Sequence, residues 1–120
     1  MKVFLSGQKY FGQQVFGMLL EKKGVDIVGV SAPVETLSGR PDRLYRAAVH
    51  AGVPVTCADG LNAATVPEGL DVIVCAHSHS FISGAMRAKT KLGGFGYHPS
   101  LLPLHRGRDA VYWAVRTGTW

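Results

Sequence analysis

With 120 residues, 47% of them hydrophobic, the chain can bury one core, at the short end of the range for a parallel-sheet domain. Thirteen Lys and Arg against eight Asp and Glu leave a dispersed net charge of +5, which fits an anionic small molecule or a nucleic-acid-bound acceptor without demanding either, so no dedicated nucleic-acid surface is supported. Two cysteines, Cys57 and Cys75, are too few for a disulfide framework and read as reduced, buried thiols; with no signal-peptide pattern after Met1 and no run of the roughly 18 apolar residues that a spanning helix needs, the expected location is cytoplasmic, with no membrane partner.

Lys2 to Ser6 reads as a short strand closed by Gly7, and Tyr10 to Lys22 places Phe11, Val15, Met18 and Leu19 at helical spacing. Gly24 ends that helix, and Val25 to Val30 is a second, β-branched strand, so the opening is a right-handed βαβ unit. Ser31 to Arg40, with Pro33 and Gly39, is a loop; Pro41 to His50 is helical; Val53-Pro54-Val55 is a short strand before the polar Ala58 to Gly69 connection. Asp71 to Cys75 is a buried strand, Gly84 to Lys91 a short helix, and Gly94 to Tyr97 a strand that ends at His98. Asp109 is placed as the N-cap of a final helix carrying Val111, Trp113 and Val115. Strands alternate with helices without internal repeat or linker, which predicts a single α/β domain: a doubly wound, mostly parallel sheet in a three-layer αβα arrangement.

Ligands of such sheets sit in the crevice at the carboxyl ends of the strands. Three segments follow strands and so share one rim: Gly7 to Gly12, Ala76 to Ser80, and His98 to Arg108. Gly7-Gln8-Lys9-Tyr10-Phe11-Gly12 is neither the dinucleotide Gly-x-Gly-x-x-Gly pattern nor a P-loop, so its glycines are read as a tight strand-to-helix turn. His77 and His79 form a His-x-His pair that could bind zinc with His98 as a third ligand. Phe81 and Ile82 are placed in the core, Tyr112 and Trp113 in packing contacts, and His50 and His105 in water. The stretch Gly96-Tyr97-His98-Pro99-Ser100-Leu101-Leu102-Pro103, continuing through Arg106-Gly107-Arg108-Asp109, holds a titratable residue in a loop where two prolines fix φ and withhold two amide donors.

His-Pro-Ser-Leu-Leu-Pro followed by a basic residue and Gly resembles the signature of the formyltransferase family, enzymes that use 10-formyltetrahydrofolate as a one-carbon donor. Within it the chain is most similar to the folate hydrolase domain of 10-formyltetrahydrofolate dehydrogenase, through Tyr97 to Pro103, Arg106-Gly107, the opening Gly7-Gln8-x-x-Phe11-Gly12-Gln13-x-Val15, and Ser80-Phe81-Ile82. The resemblance implies a Rossmann-like fold, a folate-binding domain over residues 1–120 that is incomplete at its C-terminal end, and His98 as the catalytic acid–base. It implies that the loop at Ser78, His79 and Ser80 lines the pterin pocket through its backbone, that Ser100, Leu101, Leu102 and Pro103 shape that pocket, and that the donor is the small-molecule folate, with no metal cofactor. Arg106 and Arg108 could pair bidentately with the glutamate tail of folate.

Formyl transfer requires attack on an N-formyl carbonyl and protonation of the departing folate nitrogen, tasks suited to a group that titrates near neutrality. The family often carries an asparagine two residues before the histidine; here that residue is Gly96, which leans toward the hydrolase-like branch, with water as acceptor. The family's aspartate falls beyond Trp120, and Asp109 fits a helix cap better than that role. A 120-residue chain without the aspartate is therefore expected to turn over weakly or not at all even if it binds folate. Two alternatives stand beside the folate enzyme: an inactive folate-binding fragment, and a zinc metallohydrolase using His77, His79 and His98. The acceptor, whether water, a sugar amine, an aminoacyl-tRNA or a purine precursor, is not readable.

Overall fold

The computed structural model describes residues 1–98, 102, 104–107 and 109–119. In chain order the elements are β1 (Lys2–Gly7), α1 (Lys9–Glu21), β2 (Asp26–Ala32), α2 (Arg43–His50), β3 (Val55–Cys57), a 3-10 turn (Ala58–Gly60), β4 (Val72–Ala76), α3 (Gly84–Arg87), β5 (Gly94–Gly96) and α4 (Ala110–Thr117). The strands form one sheet in the order β3-β2-β1-β4-β5, every neighbouring pair parallel. The chain winds outward from β1 through β2 to β3, then returns to the other side of β1 for β4 and β5. The winding reverses between β1 and β4, the point at which doubly wound sheets open a crevice.

Apolar runs on β1 and β4 alternate between two buried faces, the pattern of a strand covered on both sides. Val3, Leu5, Val72 and Val74 pack with Phe16 of α1 and with Leu44 and Ala48 of α2; Phe4 and Ile73 point the other way, to Val66, Leu70 and Met86. The pairing of β1 with β2 skips Val28, a bulge between Val3↔Ile27 and Phe4↔Gly29. The two layers of packing confirm the three-layer α/β architecture.

Four sequence expectations change in detail. In α1 the face toward the sheet is Gly12, Val15, Phe16 and Leu19, while Phe11 and Met18 are exposed. Gly12 lets α1 approach closely on this face: a Cβ there would lie 3.1 Å from Leu44 Cδ2 and 3.3 Å from the Ala76 carbonyl oxygen, a tight fit that would require Leu44 to shift. The third strand starts at Val55, because Val53 donates its N–H to the Ala48 carbonyl to close α2 and Pro54 has no N–H to give. The helix expected to Lys91 ends at Arg87, since Lys89 and Lys91 instead exchange backbone hydrogen bonds with Leu70. In α4 the buried residues are Ala110 and Ala114, one turn apart; Val111, Tyr112, Trp113 and Val115 are exposed, with the Tyr112 and Trp113 rings touching edge to face at 5.2 Å. Asp109 occupies the N-cap position of α4 but makes no side-chain cap hydrogen bond.

Candidate functional site

Two of the three rim segments, Gly7 to Gly12 and Ala76 to Ser80, meet at the switch point, and Tyr97, directly before the third, reaches the first. Gly7 and Ala76 are register partners at the ends of β1 and β4. A Cβ on Gly7 would lie 2.2 Å from the Ala76 carbonyl oxygen, so the two loops can leave the sheet this close together only with glycine there. Gln8 N–H donates to that same carbonyl (3.3 Å), and Ser6 Oγ and Ser78 Oγ are hydrogen-bonded at 2.7 Å. Ser78 Oγ also accepts the Ser80 N–H at 3.2 Å, which folds the Ala76 to Ser80 loop back on itself. The third segment joins through β5: Cys75 pairs with Gly96, and the Tyr97 ring lies 5.5 Å from Phe11 in the first turn of α1.

His98 follows directly, half-buried, with Nε2 3.0 Å from the Gly107 carbonyl oxygen. A carbonyl only accepts, so this bond places the proton on Nε2 and, in the neutral ring, the basic lone pair on Nδ1. The loop that carries Gly107 is held to the end of α4 by His105 Nε2 and Thr119 Oγ1, 2.5 Å apart, so the expectation that His105 merely faces water is corrected. Gly96, two residues before His98, has no room for a side chain: a Cβ would sit 2.9 Å from both Cys75 Cβ and the Cys75 carbonyl oxygen. Burial pushes the Cys75 thiol above its ordinary pKa.

The remaining residues singled out by sequence separate as follows. Ser78 and Ser80 are half-buried in the β4 loop, and His79 is exposed. His79 and Ser80 line an open pocket of about 450 Å³ together with Asp59, Asn62, Phe81 and Met86. Phe81 is 81% exposed, which overturns its placement in the core; Ile82 does pack against the second cluster. Leu102 and Arg106 are exposed, while Ser100, Leu101, Pro103 and Arg108 lie outside the described residues. His77 and His79 meet edge to face at 5.3 Å, but among the described residues no three His, Cys, Asp or Glu side chains are grouped to hold a metal ion, so the His77, His79 and His98 zinc set is not assembled. A larger hollow of about 1340 Å³ between α1 and α2 shares no residue with the three rim segments.

Sequence reasoning passed over Asp42. Its side chain is 1% exposed and accepts three backbone N–H bonds, from Leu44 (3.0 Å) and Tyr45 (3.1 Å) in α2 and from Lys9 (2.9 Å) at the start of α1. The signal was present, an Asp immediately before an amphipathic helix. Beside it, His77 is held below its ordinary pKa, first by partial burial and then by the Lys9 ammonium, with Asp42 opposing.

No helix among the described residues is long and apolar enough to cross a membrane. Mouse (Mus musculus) mitochondrial 10-formyltetrahydrofolate dehydrogenase is 36% identical over 128 residues, covering 98% of this chain and 14% of that protein. The human (Homo sapiens) cytosolic 10-formyltetrahydrofolate dehydrogenase is 34% identical over the same share of each. The chain thus spans about one-seventh of the length of these relatives. The fold matches that of phosphoribosylglycinamide formyltransferase from Bacillus Halodurans with a TM-score of 0.70 and 15% identity, over 99% of this chain and 66% of that one. The family model described as formyl transferase matches residues 1–120 in full, and with the geometry of the His98 rim this means that the chain belongs to the formyl transferase family.

Proposed function

We propose that this protein binds 10-formyltetrahydrofolate at the carboxyl ends of β1, β4 and β5 and passes its formyl group to water, with His98 as the acid–base. The observation that carries this reading is the position of His98: delivered to the rim by β5, oriented through Nε2 by the Gly107 carbonyl, and preceded by Tyr97, whose ring touches Phe11 at the start of α1. Ser78, His79 and Ser80 are assigned to one wall, beside the pocket that His79, Ser80 and Phe81 line, and Arg106 to the glutamate tail; the roles of Ser100, Leu101, Leu102 and Pro103 in shaping the pocket are carried over from the family resemblance alone.

In the reaction a water oxygen attacks the formyl carbon, His98 takes the water proton, and the tetrahedral intermediate collapses as the folate nitrogen is protonated. The carbon–nitrogen bond breaks, a carbon–oxygen bond forms, and tetrahydrofolate and formate leave. The tight approach of Cys75 to Gly96 favours water as acceptor, because it leaves no space for the side-chain amide found at that position in amine formyltransferases. The cytoplasmic location proposed for the protein rests on its two free thiols, Cys57 and Cys75.

The test is single-turnover release of labelled formate from 10-formyltetrahydrofolate by excess protein with no amine present, a readout that registers the slow turnover expected of these 120 residues. His98→Ala is expected to slow it by about 10²–10⁴-fold while folate affinity changes by only a few-fold; an unchanged rate would remove His98 from the chemistry.

A further inference from the structure

The hollow of about 1340 Å³ between α1 and α2 is lined by residues that the folate reading does not use. Met18 and Leu20 of α1 face it, with Val49 of α2 and Val34 of the loop before α2, and all four are exposed. Its charged side chains are mostly basic. Arg43, Arg46 and His50 recur one helical turn apart along α2, and Arg40 precedes them. The Arg43 guanidinium leans on Tyr10, 5.8 Å from the ring centre, but among the described residues none of the three arginines is in an ion pair, and Glu21 is the only carboxylate lining the hollow. Gly17 adds an observation of a different kind. It sits in the interior of α1, where glycine is less favourable than alanine, and lines the hollow with nothing within 4 Å of the place a Cβ would take. Gly12 on the same helix has a reason within the chain, its approach to Leu44; Gly17 has none, and its bare position suits a neighbour that comes close to the α1 backbone from outside.

We propose that the hollow between α1 and α2 docks an acidic amphipathic helix of a partner protein, its apolar stripe seated over Gly17 among Met18, Leu20, Val34 and Val49 and its carboxylates meeting Arg40, Arg43 and Arg46. An apolar bed edged by unpaired cations is complementary to that chemistry on both counts. The 13 residues of α1 run for about 20 Å, which fits a helix of about 14 residues laid along it. A second copy of this chain is a poorer occupant: its net charge is +5, and a self-complementary contact through this face would set arginine against arginine. A nucleic-acid backbone would use the arginines but leave the four apolar side chains without a partner. The surface shares no residue with the His98 rim, so the proposal stands independently of the folate reading.

The probe is a displayed library of peptides of about 14 residues, held helical, with Leu or Met along one stripe and Glu, Gln, Ser or Lys varied elsewhere. Selection on the wild-type protein is expected to enrich Glu over Lys, and the winning peptide to bind saturably, more weakly at high salt, with shifts at the amides of Gly17, Met18, Arg46 and Val49. Gly17→Leu fills the hollow from a position with open space around it, so it is expected to melt no lower than wild type and to bind the peptide at least about tenfold more weakly. Arg46→Glu is expected to lose the acidic peptide and to accept its Glu-to-Lys counterpart, an exchange of preference that simple damage to the fold would not produce. No enrichment, enrichment blind to charge or favouring Lys, or a folded Gly17→Leu that binds as wild type does, each overturns the proposal. So does sedimentation showing that the wild type self-associates and Gly17→Leu does not, which gives the face to a second copy, and so does a short RNA duplex that shifts these amides where the acidic peptide does not.

Discussion

Asp42 reaches across 33 positions of sequence to join the starts of two helices, and its removal leaves three backbone donors without their acceptor. Asp42→Ala is expected to cost about 2 kcal/mol in urea denaturation, an N-cap loss augmented by burial of unpaired amides. Gly96→Asn is expected to destabilise by about 1–3 kcal/mol in urea denaturation, because the new side chain must displace Cys75. Two titrating groups act in different pH windows. The His77 pKa is depressed below 6.5, so the unfolded chain binds its proton more readily; stability falls as pH drops from about 6.5 to the lowered value, and His77→Gln is expected to flatten that slope. The Asp71 pKa is lowered mainly by the N–H of Lys2, against a smaller opposing effect of burial; its contribution is present above 3.8 and lost only as pH falls through the lowered value, so Asp71→Asn is expected to leave the His77 window unchanged. At this scale the position of His98 just past a strand end was legible in the sequence, because Gly94 to Tyr97 leads up to it. Asp42 was not, because placing it inside a helix beginning at Pro41 hid its role as a cap.

Elements were legible in kind and order but not in rotation. In α1, apolar residues at 11, 15, 16, 18 and 19 allow two faces, and the one that is buried carries Phe16 with Val15 and Leu19, beside the close approach of Gly12 to Leu44 and Ala76. Phe16→Ala is therefore expected to cost about 3–5 kcal/mol, as for a fully buried aromatic, while Met18→Ala, 70% exposed, stays within about 0.5 kcal/mol by the same thermal or urea measurement. For β3, the apolar character of Val53 suggested a strand start, yet its amide serves α2 and the ladder to β2 opens with the Pro54 carbonyl, which accepts the Val30 N–H. In α4 the apolar residues suggested a buried stripe, but two alanines provide the close approach and the larger side chains face outward.

At the scale of the whole molecule, the sheet order places β1 and β4 side by side with their loops on one rim; the alternation of strands and helices made a parallel, doubly wound sheet legible but not this order, which crossover handedness narrows without fixing. What the sequence could not supply is how those loops interlock, since the Ser6–Ser78 bond, the Phe11–Tyr97 contact and the Asp42 bridge all join residues far apart in the chain. The central claim is that this rim binds the formyl folate and that His98 acts on it. Calorimetric titration with a stable formyltetrahydrofolate analogue, on wild-type protein and on His98→Ala, tests it most directly. The account calls for saturable one-to-one binding by both, with the variant weakened by only a few-fold; a folded wild-type protein that takes up no folate would contradict it.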